Sequence, residues 1–397
     1  MTAVAAPTAV ADAVVAGHIA LDMYPELAGP VAYEPGRLNV VGPALISAGG
    51  SVFNTGVALH RLGVPVRLVA KVGADLFGEA VLDTLAQLPG DLSSEIVVSE
   101  RDVTSYTIAI SPPGVDRTFL HCPGANRSFR ADDVSDRALA GARVFHFGYP
   151  PLMREMYAQD GAQLRALFER VQGLGPATSL DLCGVDPHSE AGRIDWERVL
   201  EKTMPFVDVF APSIEELLFM VDRPAHRALQ QSAGIAAFVD AALLADLGER
   251  MIGLGAAVAA IKLGDQGLYL RTAGAGERIG AFCERLGLSA EAWRDREVLA
   301  PCFEVPAVAG TTGSGDATIA GLLAALLRGE DPATAATSAT AVGACSVEAV
   351  DPTSAVPPWS SVAARLAAGW PRRALAIELG ENVGAQRGPT GTLTLSR

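Results

Sequence analysis

The stretch Gly310-Thr311-Thr312-Gly313-Ser314-Gly315-Asp316-Ala317-Thr318 runs directly into an apolar, alanine-rich segment, residues 319–327. Its glycines let the backbone approach a ligand closely, and the apolar run predicts a helix that begins near Asp316. The first amides of a helix have no helical partner and lie at the positive end of the helix dipole. The amides of Gly313, Ser314 and Gly315 are therefore predicted to bind an anion, for which phosphate is the obvious candidate.

Asp316 has two interpretations at this stage. It is either the N-cap of the following helix, the common role of an aspartate at such a position, or a general base. A base would remove a proton from a hydroxyl while the amides stabilise the phosphoryl group being transferred. The stretch alone leaves both interpretations open.

The stretch resembles the second signature of the ribokinase (PfkB) family of carbohydrate kinases, Asp-Thr-Thr-Gly-Ala-Gly-Asp-Ala-Phe. In that family the last Asp is the catalytic base and the glycine-rich amides form an anion hole. The resemblance implies that Asp316 is the base and that Gly313, Ser314 and Gly315 form the hole. Gly310 replaces the family's leading acid, which helps to hold a monovalent cation in many members, so potassium activation is doubtful.

A second resemblance lies near the N-terminus. Residues 48–63 and 72–78 resemble the family's first signature, Gly-Gly-x-x-x-Asn, then Leu-Gly and Val-Gly-x-Asp-x-Phe-Gly. It implies that Gly49, Gly50 and Asn54 contact the sugar. Asp22 matches the family's Asp that binds sugar hydroxyls, and the apolar run before it predicts that it ends a buried first strand. A capping or turn role for Asp22 is the alternative.

The nucleotide side is implied by weaker matches. Residues 212–216 predict a helix start with a capping box between Ser213 and Glu216. The family has Asn-x-x-Glu there, so the resemblance implies that Glu216 acts on magnesium through water and that Ser213 belongs to the nucleotide site. The family's Leu-Gly-x-x-Gly turn lies against ATP, and a helix predicted over residues 332–348 is lined with small residues that suit an adenine slot. The implied nucleotide-binding residues are thus Ser213, Gly264, Gly267, Gly315 and Gly343.

From residue 144 onward strands and helices alternate, which implies βαβ units and a mainly parallel sheet. With the resemblance, this predicts a ribokinase-like three-layer α/β/α fold. The α/β core is predicted over 13–22, 49–101 and 125–370, and a small β lid over 23–48 and 102–124. A loosely held tail is expected over 371–397, and residues 273–300 look like a charged insertion.

Composition narrows the function. The net charge of -14 over 397 residues argues against a nucleic-acid partner. The five cysteines show no disulfide or zinc spacing and favour a reduced cytoplasmic chain. The six histidines likewise form no metal spacing and are expected in the core or on the surface. No membrane span and no Walker or dinucleotide-binding motif is recognisable.

The leading interpretation is an ATP- and Mg²⁺-dependent kinase that phosphorylates a hydroxymethyl group of a small carbohydrate. Two alternatives stay open: a nucleoside kinase of the same family, and a sugar-binding protein that has lost turnover. The identity of the substrate and the role of the insertion stay open as well, as does a homodimer formed through the lid.

Overall fold

The structure is a computed structural model that describes residues 11–113, 118–381 and 383–396. Residues 114–117 of the predicted lid and residues 382 and 397 of the predicted tail lie outside these ranges. The strands are β1 Ala13–Gly17, β2 Ala20–Pro25, β3 Ala44–Gly49, β4 Val66–Val69, β5 Lys71–Gly73, β6 Val97–Ser99, β7 Tyr106–Ile110, β8 Thr118–Cys122, β9 Val144–Gly148, β10 Ala177–Leu180, β11 Val209–Phe210, β12 Val258–Lys262, β13 Leu268–Thr272, β14 Glu297–Ala300, β15 Gly384–Arg387 and β16 Leu393–Ser396.

The helices follow the same chain order, and within the described ranges each is too short or too polar to cross a lipid bilayer. They are α1 Ser51–Arg61, α2 Leu76–Ala86, α3 Asp136–Leu139, α4 Arg154–Leu174, α5 Trp196–Thr203, α6 Ile214–Val221, α7 Arg223–Gln231, α8 Ala241–Gly253, α9 Glu277–Leu286, α10 Ala290–Trp293, α11 Ser314–Leu327, α12 Pro332–Ser346 and α13 Trp359–Ala367. Helix α4 is interrupted by non-helical backbone at residues 158–161.

One large sheet forms the centre of the molecule. Within the described residues its strand order is β15-β16-β14-β13-β12-β11-β10-β9-β1-β4. The strands from β4 to β12 in this order run parallel, whereas β13, β14, β16 and β15 join antiparallel. The mainly parallel sheet inferred from the alternation of strands and helices is confirmed.

Both faces of the sheet are covered, as the three-layer prediction requires. Ala13 and Val15 of β1 pack in one apolar cluster with α1, α11 and α12. Val14 and Ala16 of the same strand pack in the other cluster, with α4, α5 and α6. Successive side chains of a strand point to opposite faces, so a continuously apolar strand can be buried on both sides.

Within the described residues a separate four-stranded sheet, in the order β3-β2-β7-β8, includes strands from both segments predicted as the lid, and we keep that name for it. The chain enters it earlier than the sequence predicted. Gly17, with φ 128°, ends β1, and the side chain of Asn126 then binds both backbone groups of Ile19. Strand β2 therefore begins at Ala20, and Asp22 lies on a lid strand opposite Ser47 and Thr107 rather than at the end of the first core strand.

The C-terminal segment corrects the expectation of a loosely held tail. Strand β16 pairs with β14 at the edge of the main sheet, and Leu393 and Leu395 are buried. The guanidinium of Arg372 lies 4.1 Å from the centre of the Phe303 ring and donates to the Thr337 hydroxyl at 3.0 Å. These contacts anchor the chain after residue 370 to the core.

The segment predicted as a charged insertion is also part of the core. It contains α9, α10 and the sheet strand β14. Arg278 and Arg285 of α9 form ion pairs with the fully buried Asp208, at 2.7 and 3.0 Å. Its charged residues thus compensate a buried carboxylate.

The pair of hydrogen bonds between the Asn126 side chain and the backbone of Ile19, which we call the Ile19 clamp, can be tested by Asn126→Ala. Asn126 is fully buried and donates to the Ile19 carbonyl at 2.8 Å. Two buried backbone groups would lose their partner, so we expect the free energy of unfolding in urea to fall by roughly 2 to 4 kcal/mol. Asn39 makes the same pair of bonds to Ala32 in the outer lid loop, and Asn39→Ala should cost less than about 1 kcal/mol. Equal losses would show that the clamp has no special role.

Candidate active site

The centre of the site is the carboxylate of Asp316. Helix α11 has Gly313 as its N-cap residue, with φ 76°, and Asp316 is its third residue. The Asp316 side chain is 1% exposed. Its Oδ2 accepts from Asn54 Nδ2 at 3.0 Å and from the Tyr149 hydroxyl at 2.7 Å, and its Oδ1 accepts from the Thr55 hydroxyl at 3.2 Å. Asp316 is therefore held by side chains of other elements and is not the N-cap residue.

The three donors reach Asp316 for local reasons. Asn54 and Thr55 lie on the first turn and a half of α1, which packs against α11. Tyr149 directly follows β9 in the left-handed region, with φ 67°, a conformation that is rare for residues other than glycine and common at functional sites. This backbone turn places the Tyr149 hydroxyl against the carboxylate.

The electrostatics of Asp316 reflect two opposing effects. Burial raises the pKa of Asp316, while the hydrogen bonds from Tyr149 and Asn54 and the charge of Lys262 oppose that rise. Burial and the neighbouring Asp316 raise the pKa of Tyr149 well above its usual value, so Tyr149 remains a donor. A raised pKa makes this carboxylate a better proton acceptor than an exposed aspartate.

Two predicted glycines make room for other side chains of the site. A Cβ atom on Gly49 would lie 1.9 Å from Oδ2 of Asp22. Gly50 has φ 85°, and a Cβ atom there would lie 2.5 Å from Nδ1 of His18. Any larger residue would therefore displace Asp22 or His18.

Asp22, Gly50 and His18 line a cavity of about 740 Å³ between lid and core, which we call the lid-side cavity. Gly49 contacts Asp22 but does not itself line the cavity. Burial raises the pKa of Asp22 to about 6, and hydrogen bonds from Thr107 and Tyr24 oppose the rise. The lining includes Asp22, Gly50, Asn54, Tyr149 and Gly313 of the site, together with His18, His121, Phe119, Arg127, Arg154 and Glu190.

A second cavity of about 220 Å³, the helix-side cavity, lies on the other side of the glycine-rich loop. Thr318 of α11 and Thr340 and Ala344 of α12 form one wall, and Phe303 and Val305 contribute apolar surface. A Cβ atom on Gly343 would lie 2.3 Å from the Thr318 hydroxyl oxygen. Of the predicted nucleotide residues, this cavity is lined by Gly264, Gly267, Gly315 and Gly343, but not by Ser213.

The predicted anion hole lies where the two cavities meet. Gly313 lines the lid-side cavity, whereas Ser314 and Gly315 line the helix-side cavity. The first amide of the helical ladder is that of Ala317, which donates to the Gly313 carbonyl. The Ser314 amide donates to the Thr311 carbonyl at 3.2 Å, so it is not free as the sequence suggested.

A buried ion pair lies beside the loop. Lys262 Nζ contacts Asp181 Oδ1 at 2.6 Å and lies 4.0 Å from Glu216 Oε2. Burial opposes the charge of Lys262, but Asp181 and Glu216 outweigh this and raise its pKa. Burial raises the pKa of Asp181, and the Lys262 ammonium opposes that shift. The cation lines the helix-side cavity close to Gly315.

The two carboxylates beside Lys262, those of Asp181 and Glu216, fit a magnesium ion that is held mainly by phosphate and water. Ser213 and Glu216 form the predicted capping box, with the Ser213 amide donating to Glu216 Oε2 at 2.6 Å. Asp181 Oδ2 is buried without a hydrogen-bond partner within the described residues. The described chain offers no group of three or more side chains that could hold a metal alone. One or two carboxylates with substrate phosphates are the usual magnesium environment.

Several residues of this site were not predicted from the sequence. Tyr149 was not among the predicted site residues, because its left-handed backbone leaves no signal in the sequence. Asp181 follows β10 and Lys262 ends β12, so polar residues at the C-terminal ends of buried parallel strands were the available signal. His18 and His121 were expected in the core or on the surface, and both line the lid-side cavity.

The sequence model described as pfkB family carbohydrate kinase matches residues 11–359. The chain belongs to this family. It is thus a sugar kinase, and the resemblance inferred from its two signatures is confirmed.

Individual relatives of the PfkB chain agree with this assignment. An uncharacterized sugar kinase of Archaeoglobus fulgidus is 22% identical over 275 residues, which cover 69% of this chain and 88% of that protein. A fructokinase of Rhizobium leguminosarum bv. trifolii is 30% identical over 101 residues, which cover 25% of this chain and 30% of that protein.

Solved structures show the same fold. Arabidopsis thaliana ribokinase complexed with ribose and ATP matches with a TM-score of 0.67 and 17% identity, covering 90% of this chain and 98% of that chain. Xylella fastidiosa fructokinase with bound ATP matches with a TM-score of 0.66 and 22% identity, with the same coverage. The ribokinase-like fold prediction is confirmed.

The raised pKa of Asp22 predicts a stability cost at neutral pH. Its pKa of about 6 lies above the ordinary value of 3.8, so the native state binds this proton more tightly than the unfolded state. The stability that this bound proton gives the native state is fully present below the ordinary pKa of 3.8. It is lost as pH rises through about 6. Asp22→Asn should therefore be more stable than wild type at pH ~8, by roughly 1 to 3 kcal/mol, with the gain vanishing towards pH ~4.

Urea unfolding at several pH values measures this difference. The exposed Asp246 on α8 provides a control, since Asp246→Asn should change stability little at any pH. A stability gain for Asp22→Asn that is independent of pH would contradict the assigned pKa.

Proposed function

We propose that the protein transfers the γ-phosphate of ATP to a hydroxymethyl group of a small carbohydrate. Support comes from relatives whose names are fructokinase and sugar kinase, and from the ribokinase and fructokinase structures that contain ATP. The lid-side cavity would hold the carbohydrate, and the helix-side cavity would hold the nucleotide.

The observation that carries the proposal is the position of Asp316. Its carboxylate is buried, is oriented by three donors, and belongs to the helix whose first residues separate the two cavities. A base for phosphoryl transfer must reach the acceptor hydroxyl while the phosphate lies on the far side of that hydroxyl. Asn54 and Tyr149, which hold Asp316, both line the cavity assigned to the acceptor.

In the reaction, Asp316 accepts the proton of the substrate hydroxyl as its oxygen attacks the γ-phosphorus. The new oxygen–phosphorus bond forms while the bond to the bridging oxygen breaks, and ADP leaves with that electron pair. The amides of Gly313 and Gly315 and the positive end of α11 stabilise the charge on the transferred group. Lys262, adjacent to Gly315, adds a fixed positive charge on the nucleotide side.

When bound with the nucleotide, Mg²⁺ would neutralise phosphate charge, with Glu216 acting through water and Asp181 Oδ2 nearby. No monovalent-cation site is proposed. A Cβ atom on Gly310 would lie 2.9 Å from the Val350 carbonyl oxygen, so the acid found there in other members of the family would need a rearranged backbone.

A nucleoside is the second candidate acceptor. The lid-side cavity is large for a single sugar, and Phe119, Pro151 and Leu152 give it apolar surface that could contact a base. Comparing sugars and nucleosides as acceptors distinguishes the two substrates, because both would use the same Asp316.

The role of Asp316 is tested by Asp316→Asn, which preserves the shape of the side chain. We expect kcat to fall by at least about 100-fold, the usual contribution of a general base, with ATP affinity nearly unchanged. The matched control is Asp331→Asn. Asp331 is a true N-cap that accepts from the Ala333 and Thr334 amides of α12, and its substitution should leave turnover intact. A folded Asp316→Asn variant with wild-type turnover would exclude a catalytic role for Asp316.

A further inference from the structure

Two histidines meet where the lid contacts the core. His18 follows β1, and His121 lies on the lid strand β8. Their ring centres are 5.5 Å apart, and the ring of Tyr149 lies 6.0 Å from that of His18. His18 is 3% exposed, and both histidines line the lid-side cavity. The pair therefore connects the lid, the core and the tyrosine that binds Asp316.

The polar atoms of this pair lack partners. Within the described residues, neither ring nitrogen of His18 nor Nε2 of His121 forms a hydrogen bond. Buried nitrogen atoms without partners reduce stability, so a ligand that supplies the missing bonds would be favoured there. Gly50 lets the backbone pass close to the His18 ring, since a Cβ atom there would lie only 2.5 Å from Nδ1.

The hydrogen-bond network determines what His121 can bind. The Thr107 hydroxyl forms a hydrogen bond with the carboxylate of Asp22, which accepts when it is ionised. Nδ1 of His121 lies 3.1 Å from the same Thr107 oxygen. Because the Thr107 proton is directed at Asp22, Nδ1 must donate to Thr107, and Nε2 is left as an acceptor. A ligand hydroxyl is the matching donor.

The charges around the pair favour an uncharged ligand. Burial lowers the pKa of both His18 and His121, so neither ring carries a charge at neutral pH. Asp22 contributes a negative charge nearby. Arg127 and Arg154 line the same cavity, but they share the carboxylate of Glu190, at 3.8 and 3.0 Å, and Arg154 also contacts Glu155 at 3.4 Å. A phosphate or carboxylate would meet one carboxylate and two neutral rings at this end of the cavity.

We propose that His18 and His121 are specificity-determining residues that bind hydroxyl groups of an uncharged, polyhydroxylated sugar and thereby close the lid strand β8 onto it. The inference rests on the proposed function, because it assigns the sugar to the lid-side cavity. It extends that function by naming the substrate class and by adding a core residue and a lid residue that recognise it.

The first measurement is sugar binding by isothermal titration calorimetry, with D-ribose and D-fructose as probes. His121→Phe and His18→Phe keep the ring shape but remove the nitrogens, and each should weaken binding of the better probe at least about tenfold. His121→Gln should recover part of the loss, because its amide oxygen can accept a hydroxyl proton. His60→Phe is the control, since His60 lies at the far end of α1 and does not line the cavity.

Kinetics with single-deoxy analogues of the better probe separate recognition from structure. In the wild type, removing the hydroxyl bound by His121 should raise KM about tenfold, whereas His121→Phe should not distinguish that analogue from the parent sugar. A merely structural role would leave the variant as sensitive to the missing hydroxyl as the wild type. The KM for ATP should stay unchanged in each histidine variant.

Three results would overturn the inference: unchanged sugar affinity in both Phe variants, equal sensitivity of wild type and His121→Phe to every deoxy analogue, or wild-type preference for fructose 6-phosphate or gluconate over the neutral sugars. If a Phe variant does not fold, His121→Gln and the wild-type analogue series decide the matter. Binding of sugar without phosphoryl transfer by the wild type would refute the proposed kinase reaction and leave the histidine inference standing.

Discussion

The burial of one carboxylate constrains the whole candidate active site. Asp316 can lie inside the protein only because Asn54, Thr55 and Tyr149 supply hydrogen bonds from two other elements. Those contacts require α1 to pack against α11 and the chain to turn sharply after β9. Removing one donor would leave a buried charge partly uncompensated, a more costly defect than the loss of one surface bond.

The two cavities follow from the same arrangement. The first turn of α11 separates them, so atoms of Gly313 face the lid while atoms of Gly315 face the opposite side. Lys262 and Asp181 then place an ion pair beside the helix-side cavity, and Asp22 places a carboxylate in the lining of the lid-side cavity. Each charge has a partner or a raised pKa, which indicates that this region was built for ligands rather than for stability alone.

Local patterns in the sequence predicted the parts of this arrangement that depend on short segments. The glycine-rich loop and the parallel sheet could be predicted because their signals lie within a few consecutive residues. The early exit from β1 could not, because it depends on Asn126, which is distant in sequence from Ile19. The anchoring of the tail depends on the pairing of β16 with β14, two strands that are far apart in the sequence. Tyr149 joins the site through its backbone angle, which the sequence does not display.

The most direct test of the account is a crystal structure of the protein with its preferred sugar and an unreactive ATP analogue. The account predicts that a hydroxymethyl oxygen lies within about 3 Å of Asp316 Oδ1 and points at the γ-phosphorus. The γ-phosphate should contact the amides between Gly313 and Gly315. A sugar bound with its hydroxyl away from Asp316, or a γ-phosphate far from this loop, would contradict the account.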